Sequence, residues 1–313
     1  MAKGKGIFKF LIVIGSLLTV LVIFLVSYVI FDSNIYDELY SKIEVTAHRG
    51  NSTVTMPNTI PAFKEAIKEG ADYGELDVRQ TKDNVIVVTH DASLKEMTGQ
   101  DINVRDLTYE ELQKIPCIEV NGNKCTVPKL EDVINVCKGK IKLNIEIKTG
   151  NNDSEDFVSD VVKIIENTDF VDKCVVTSLD YRALRKVKEC NPKIKTGYIM
   201  AVAMGDFYDL PCVDFFRMET TFVNGRVVER AHKLNKEIHV WTVNDDDSLK
   251  KCVELEVDNI ITDNVAGAKS AIATHGDDVF SIVLNQLKES DNSKENIKKT
   301  NRILEDVTGI EGA

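Results

Sequence analysis

The sequence predicts an α/β fold: a (β/α)8 TIM barrel with a small insertion after the third strand, preceded by one N-terminal transmembrane helix. Three observations predict it. Strand-like and helix-like segments alternate over ~230 residues with eight or nine strands, the pattern of a parallel sheet closed into a barrel. A run of 22 uncharged residues, Phe10 to Phe31, stands apart from everything that follows. As a helix it would measure ~33 Å at about 1.5 Å per residue, the hydrocarbon thickness of a bilayer. The chain's 313 residues are 43% hydrophobic, enough for one large core.

Lys3, Lys5 and Lys9 precede the apolar run, and Asp32, Asp37 and Glu38 follow it. The positive-inside rule then keeps residues 1–9 in the cytoplasm, uses 10–31 as the membrane helix and 32–43 as a linker, and puts the remainder outside. The expectation is a single-pass protein of the cell membrane with an extracytoplasmic domain. A cleaved signal peptide is the competing reading, but its apolar region is usually about 7–15 residues with a small-x-small site after it. Ser27–Phe31 offers no such site. The formal charge is −11, and residues 1–31 hold three lysines and no acid, which takes the rest to −14. So acidic a body opposes nucleic-acid binding.

Within the barrel domain, residues 44–275, the expected elements follow in order. Glu44–Ala47 is a short strand. Asn58–Glu69 is a helix with Ile60, Phe63, Ala66 and Ile67 on one face, closed by Gly70. Tyr73–Val78 and Val85–Thr89 are strands. The seven residues between Asp77 and Val85 are too few for a crossover helix, so none is expected there. Residues 91–129 carry one helix signal at Thr108–Ile115 and read as the small insertion over the mouth. Helices are expected at Leu130–Cys137, Phe157–Ile165, Tyr181–Cys190, Val227–Leu234 and Ser248–Leu255. Strands are expected at Ile141–Lys148, Cys174–Ser178, Thr196–Ala201, Phe215–Glu219, Glu237–Val243 and Asn259–Thr262. Residues 276–313 are charged, lack aromatics after Phe280, and read as a fraying helical or disordered tail.

The seven cysteines include no CxxC pair, which opposes a cysteine zinc site. Cys137, Cys174, Cys190 and Cys252 sit in apolar-periodic segments and are expected in the core. Cys117 and Cys125 flank the hairpin-turn signal Asn121–Gly122, where an extracytoplasmic location would permit a disulfide.

Barrel enzymes carry their chemistry at the C-terminal ends of the strands. Those ends here hold His48 and Arg49, Glu75 and Asp77, His90, Glu146 and Lys148, and Trp241. Side chains alternate along a strand, so Glu75 shares a face with Asp77, and Glu146 with Lys148. Three carboxylates without cysteine favour one hard divalent cation, Ca²⁺ or Mg²⁺. Two histidines suit an acid and a base near neutral pH. Arg49 and Lys148 suit phosphate oxygens. Together these are the needs of phosphodiester cleavage. His232, His239 and His275 lie off the strand ends and read as structural.

These residues also carry a resemblance. Ala47-His48-Arg49-Gly50, Asn58-Thr59-x-x-Ala62-Phe63, Gly70-Ala71-Asp72-x-x-Glu75-x-Asp77-Val78, and Thr81-Lys82-Asp83-Asn84 leading to His90-Asp91 are similar to the glycerophosphodiester phosphodiesterase family. So are Asn144-x-Glu146-x-Lys148, Val240-Trp241-Thr242-Val243-Asn244 and Asp258-x-x-Ile261-Thr262-Asp263. The resemblance spans about residues 44–270. It implies a TIM barrel, a divalent metal at Glu75, Asp77 and Glu146, His48 and His90 as base and acid in either order, Arg49 and Lys148 on the phosphate, and Trp241 in the substrate pocket. The implied reaction hydrolyses glycerophosphodiesters to glycerol 3-phosphate and an alcohol. Lysophospholipids or teichoic-acid polymers are alternative substrates, and a ligand-binding barrel without turnover is the non-enzymatic alternative. The chain departs from the family at Met56-Pro57-Asn58-Thr59, where Pro57 replaces a glutamate, and at Asn259, where the family has glycine.

Overall fold

The computed structural model describes residues 43–200 and 207–274. Nine strands form among them: β1 (Glu44–Ala47), β2 (Tyr73–Gln80), β3 (Ile86–Val88), β4 (Lys142–Ile147), β5 (Cys174–Ser178), β6 (Lys195–Met200), β7 (Phe215–Glu219), β8 (Glu237–Trp241) and β9 (Asn259–Thr262). All except β3 are parallel neighbours in one ring, and β1 pairs with both β2 and β9 to close it. The expected eight-stranded parallel barrel is what forms.

Strands covered by helices outside and by side chains within should be buried along their length. β2 and β5 are, with at most one partly exposed residue each. Along β2 the acids Glu75 and Asp77 face the interior, so Gly74, Leu76 and Val78 face the helices. The helix Ile60–Lys68 packs tightly there: a Cβ on Gly74 would lie 3.0 Å from the Phe63 ring. Polar residues before several helices fix where they start. Asp180 accepts from the Arg182 N–H, Asn224 from the Arg226 and Val227 N–H groups, and Asp245 from the Ser248 N–H. The strands at 44–47, 174–178, 215–219 and 259–262 and the helices at 130–137 and 181–190 have the expected bounds. The first helix begins two residues later than expected because Asn58 takes a left-handed φ of 59°.

One expected element is different. Ile86–Val88 is not the third strand of the barrel but the antiparallel arm of a hairpin with the outer end of β2. The Thr81 N–H donates to the Val85 carbonyl and Asn84 turns with φ 64°, so the chain reverses at once instead of returning to the barrel floor. The barrel's third strand is therefore β4, in register with β2 through Glu75 opposite Asn144 and Asp77 opposite Glu146. The insertion follows the second barrel strand and its hairpin. It builds a small core of its own around Val87, Leu94, Met97, Leu112 and Val127, joined by Met56. Its helix near 108–115 is Tyr109–Leu112, and a further turn of helix forms at Lys95–Thr98.

The Asn121–Gly122 turn forms with φ 50° and 77°. Cys117 and Cys125 are neighbouring free thiols across it, and burial, with Cys125 beside it, pushes the Cys117 thiol up to about 12. Cys137, Cys174 and Cys252 are buried as expected, whereas Cys190 is exposed because it ends its helix where the chain turns outward at Asn191–Pro192. Among the described residues no helix is long and apolar enough to cross a membrane. The expected span 10–31, the linker 32–43 except its last residue, and the tail 276–313 lie outside them, as does His275.

Candidate active site

β2 and β4 deliver the acids. Glu75, Asp77 and Glu146 are all buried, and ligand oxygens from the three lie within 4.8 Å of one another. The β1–helix loop wraps beneath them. Arg49, with φ 53°, donates its backbone N–H to Glu75 Oε2 at 2.9 Å, and Asn58 donates Nδ2 to Asp77 Oδ2 at 2.9 Å. Gly50 follows with φ 76°, and a Cβ there would lie 2.7 Å from that of Ala62. Only glycine satisfies both conditions, so the helix is seated directly on the loop that carries His48 and Arg49.

The basic side chains converge on the same acids. Lys148 Nζ contacts Glu146 Oε1 and lies 3.2 Å from Asp77 Oδ1, and Arg49 Nε is 3.7 Å from Asp77 Oδ2. Burial alone would raise the Asp77 carboxyl, but Lys148, His90, Asn58 and Arg49 together hold it below the ordinary value. Glu146 goes the other way: burial and the neighbouring acids outweigh Arg217 and Lys148 and raise it.

Each histidine at the mouth is backed by a carboxylate. His48 Nδ1 lies 2.9 Å from Asp263 Oδ1, and Asp263 also accepts from Ser52 Oγ and Asn244 Nδ2. His90 Nδ1 lies 2.8 Å from Asp91 Oδ1. A carboxylate on Nδ1 fixes the ring and leaves Nε2 available to another partner.

The eight residues expected at the site, His48, Arg49, Glu75, Asp77, His90, Glu146, Lys148 and Trp241, all line one cavity of about 380 Å³. The sequence reading missed Arg217. It is only 2% exposed, and its Nη1 sits 2.8 Å from both Glu75 Oε1 and Glu146 Oε2. A charge in the middle of the apolar run Phe215–Phe216–Arg217–Met218 is the signal that marks it. The reading also gave no role to Asp263 or Asn58, or to the half-exposed Leu179 on the cavity wall. Where Pro57 leaves no acid, Glu96 of the insertion stands 3.9 Å from Arg49 Nη1. His232 and His239 lie outside this cavity: His232 pairs with Asp258, and His239 stacks on Phe215 in the barrel floor.

Residues 48–266 match the glycerophosphoryl diester phosphodiesterase family. The chain belongs to that family. It is similar to a glycerophosphodiester phosphodiesterase of Caldanaerobacter subterraneus subsp. tengcongensis, 31% identical over 230 residues, 71% of this chain and 95% of that one. It is also similar to a lysophospholipase D of Mus musculus, 26% identical across 69% of this chain and 82% of the relative. Among solved structures, a glycerophosphodiester phosphodiesterase from Thermotoga maritima aligns with TM-score 0.59 and 28% identity over 72% of this chain and 96% of the other. An Oleispira antarctica phosphodiesterase, solved with sn-glycerol-3-phosphate, aligns with TM-score 0.69 and 23% identity over 75% and 99%. That likeness carries the barrel fold. The chain is thus a phosphoric diester hydrolase of the glycerophosphodiester phosphodiesterase family.

The acids suit the divalent cation that the family implies. All three are buried, they offer oxygen only, and Asp77 Oδ1 is buried without a hydrogen bond.

Proposed function

We propose that this phosphodiesterase is metal-dependent and releases glycerol 3-phosphate and an alcohol from glycerophosphodiesters through His48 and His90. The observation that carries the reading is the convergence of two carboxylate-backed histidines, two basic side chains and three buried acids on one cavity. Glu75, Asp77 and Glu146 would hold Ca²⁺ or Mg²⁺, which when bound supplies positive charge to the phosphoryl oxygens. Arg49 and Lys148 bind and neutralise the same phosphate. One histidine takes the proton of the attacking hydroxyl as the new oxygen–phosphorus bond forms: attack by water gives glycerol 3-phosphate directly, whereas attack by the substrate's own glycerol hydroxyl gives a cyclic phosphate that a water then opens in a second step. The other gives its proton to the departing alkoxide as the old bond breaks. Asp263 and Asp91 hold the two rings in place and stabilise the charge each gains.

Full-length protein with Ca²⁺ or Mg²⁺ should cleave glycerophosphocholine and glycerophosphoethanolamine, and EDTA should abolish turnover by at least 100-fold. Turnover undiminished in EDTA would contradict the metal reading. One feature favours a second substrate class at the same site. Leu179 is 55% exposed on the cavity wall beside Ile147 and Ile199, an apolar border suited to the acyl chain of a lysophospholipid. The relation to a lysophospholipase D supports it. Comparing lysophosphatidylcholine with glycerophosphocholine separates the two.

We further propose the cell membrane as location, with the barrel outside the cytoplasm. The uncharged run 10–31 and its lysine-rich N-terminal flank support this. Protease added to intact cells should then remove the barrel, and complete protection would reverse the orientation.

A further inference from the structure

Among the described residues in ion pairs with the three acids, Arg217 is the cation that the reaction above does not use. Its Nη1 donates to Glu75 Oε1 and Glu146 Oε2 at 2.8 Å each, while its Nε is buried with no hydrogen-bond partner. Its guanidinium carbon lies 5.1 Å from the centre of the Trp241 ring, which walls the same cavity.

The oxygens of the cluster leave little choice about where an ion can bind. Glu75 Oε2 already accepts the Arg49 N–H, Asp77 Oδ2 accepts Asn58, and Glu146 Oε1 contacts Lys148. Asp77 Oδ1 makes no hydrogen bond but lies 3.2 Å from Lys148 Nζ, and the other two oxygens are the ones that Arg217 bridges. An ion that binds through Glu75 Oε1 or Glu146 Oε2 therefore takes that oxygen from Arg217. The charges agree. In direct ion pairs, the three carboxylates face as many cations, Arg217, Lys148 and Arg49, before any ion arrives. A divalent cation added to such a cluster must expel a positive group or bring an anion with it.

We propose that Arg217 is a built-in competitor for the divalent cation: it neutralises Glu75 and Glu146 in the ion's place and swings off them when the ion binds. The inference rests on the metal reading above. The displaced guanidinium has the Trp241 face beside it, where cation–π attraction holds it. From there it meets the phosphate of a substrate in the cavity. A phosphate monoester or diester therefore gives the displaced Arg217 a new partner, and ion and phosphate each tighten the other's binding by the same factor.

Calorimetric titration of Ca²⁺, and separately Mg²⁺, into the full-length protein tests this without relying on turnover. Arg217→Met should bind the ion at least tenfold more tightly than the parent. Glycerol 3-phosphate should tighten ion binding severalfold in the parent and much less in Arg217→Met. Arg217→Lys, which keeps the charge on a shorter side chain, should fall between them. If Arg217→Met does not fold, Arg217→Lys and the glycerol 3-phosphate effect on the parent decide the question. Ion affinity that is unchanged or weaker in the variants, with no glycerol 3-phosphate effect on the parent, overturns the competitor role while leaving the metal site standing. Absence of ion binding in parent and variants alike overturns the metal reading itself, and this inference with it.

Discussion

His48, His90, His232 and His239 all pair with a carboxylate, but of these four only His48 and His90 line the cavity. Behind His48 the support is the more complete. Asp263 accepts from His48, Ser52 and Asn244, and although burial opposes it, these contacts hold its carboxyl well below the ordinary value. It therefore stays ionised and keeps His48 in one orientation. Asp263→Asn should lower kcat at least tenfold, leave KM within about threefold, and change the pH profile of the histidine, because the amide orients the ring without compensating its charge. A purely structural role would lower the melting temperature and leave the pH profile in place. The acids, His48, His90 and Lys148 could be read from sequence because they close strands, where alternation alone says which side chains face the mouth. Arg217 could not be read so, since it lies inside β7 among phenylalanines and only the barrel's curvature brings it across to Glu75, 142 residues away in sequence. Asn58 was hidden for a similar reason: it looks like part of a helix start, and its left-handed backbone is what aims it at Asp77.

The β1–helix loop and the β2–β3 hairpin do most to shape the mouth. β2 runs to Gln80, past the barrel rim, and the hairpin brings Thr89 and His90 alongside Asp77 through the Thr89 N–H to the Asp77 carbonyl. The sequence showed that no crossover helix fits between β2 and β3. It did not show that the chain would reverse, because a Thr–Lys–Asp–Asn turn and a short extended return have the same length. The loop from His48 to Thr59 depends on close backbone approach at Gly50. Gly50→Ala places its methyl against Ala62 in a left-handed conformation and should cost about 1–3 kcal/mol of stability. It should also lower activity more than an equally destabilising substitution in the insertion core, because it moves Arg49 and Glu75 together. Denaturant unfolding paired with steady-state kinetics measures both.

The barrel separates its two ends by chemistry. The C-terminal end gathers the groups that line the cavity, whereas the floor carries ion pairs of Glu237 with His239 and Lys195, and of Glu44 with Lys142. The hydrogen bond from His239, aided by Lys195, pulls the Glu237 carboxyl from 4.5 down to about 2 against the opposing effect of burial. A depressed carboxylate stabilises the fold above its unfolded value, and that gain is lost as the pH falls through the folded one. The difference in melting temperature between the parent and Glu237→Gln should therefore be full near about pH 6 and shrink between about pH 4.5 and 2. The eight-stranded architecture was evident from alternation of elements, since each strand–helix unit is local in sequence. The closure of β1 on both β2 and β9 joins the ends of the domain and has no local signature.

The central claim is that His48 and His90 divide the proton transfers of phosphodiester cleavage. Glycerol 3-phosphate release from glycerophosphoethanolamine should fall at least 100-fold in both His48→Ala and His90→Ala. With a p-nitrophenyl phosphodiester of glycerol, whose leaving group needs no proton, the variant lacking the general acid should recover most of its activity while the other stays inactive. Parent-level turnover of glycerophosphoethanolamine by both alanine variants would contradict the account.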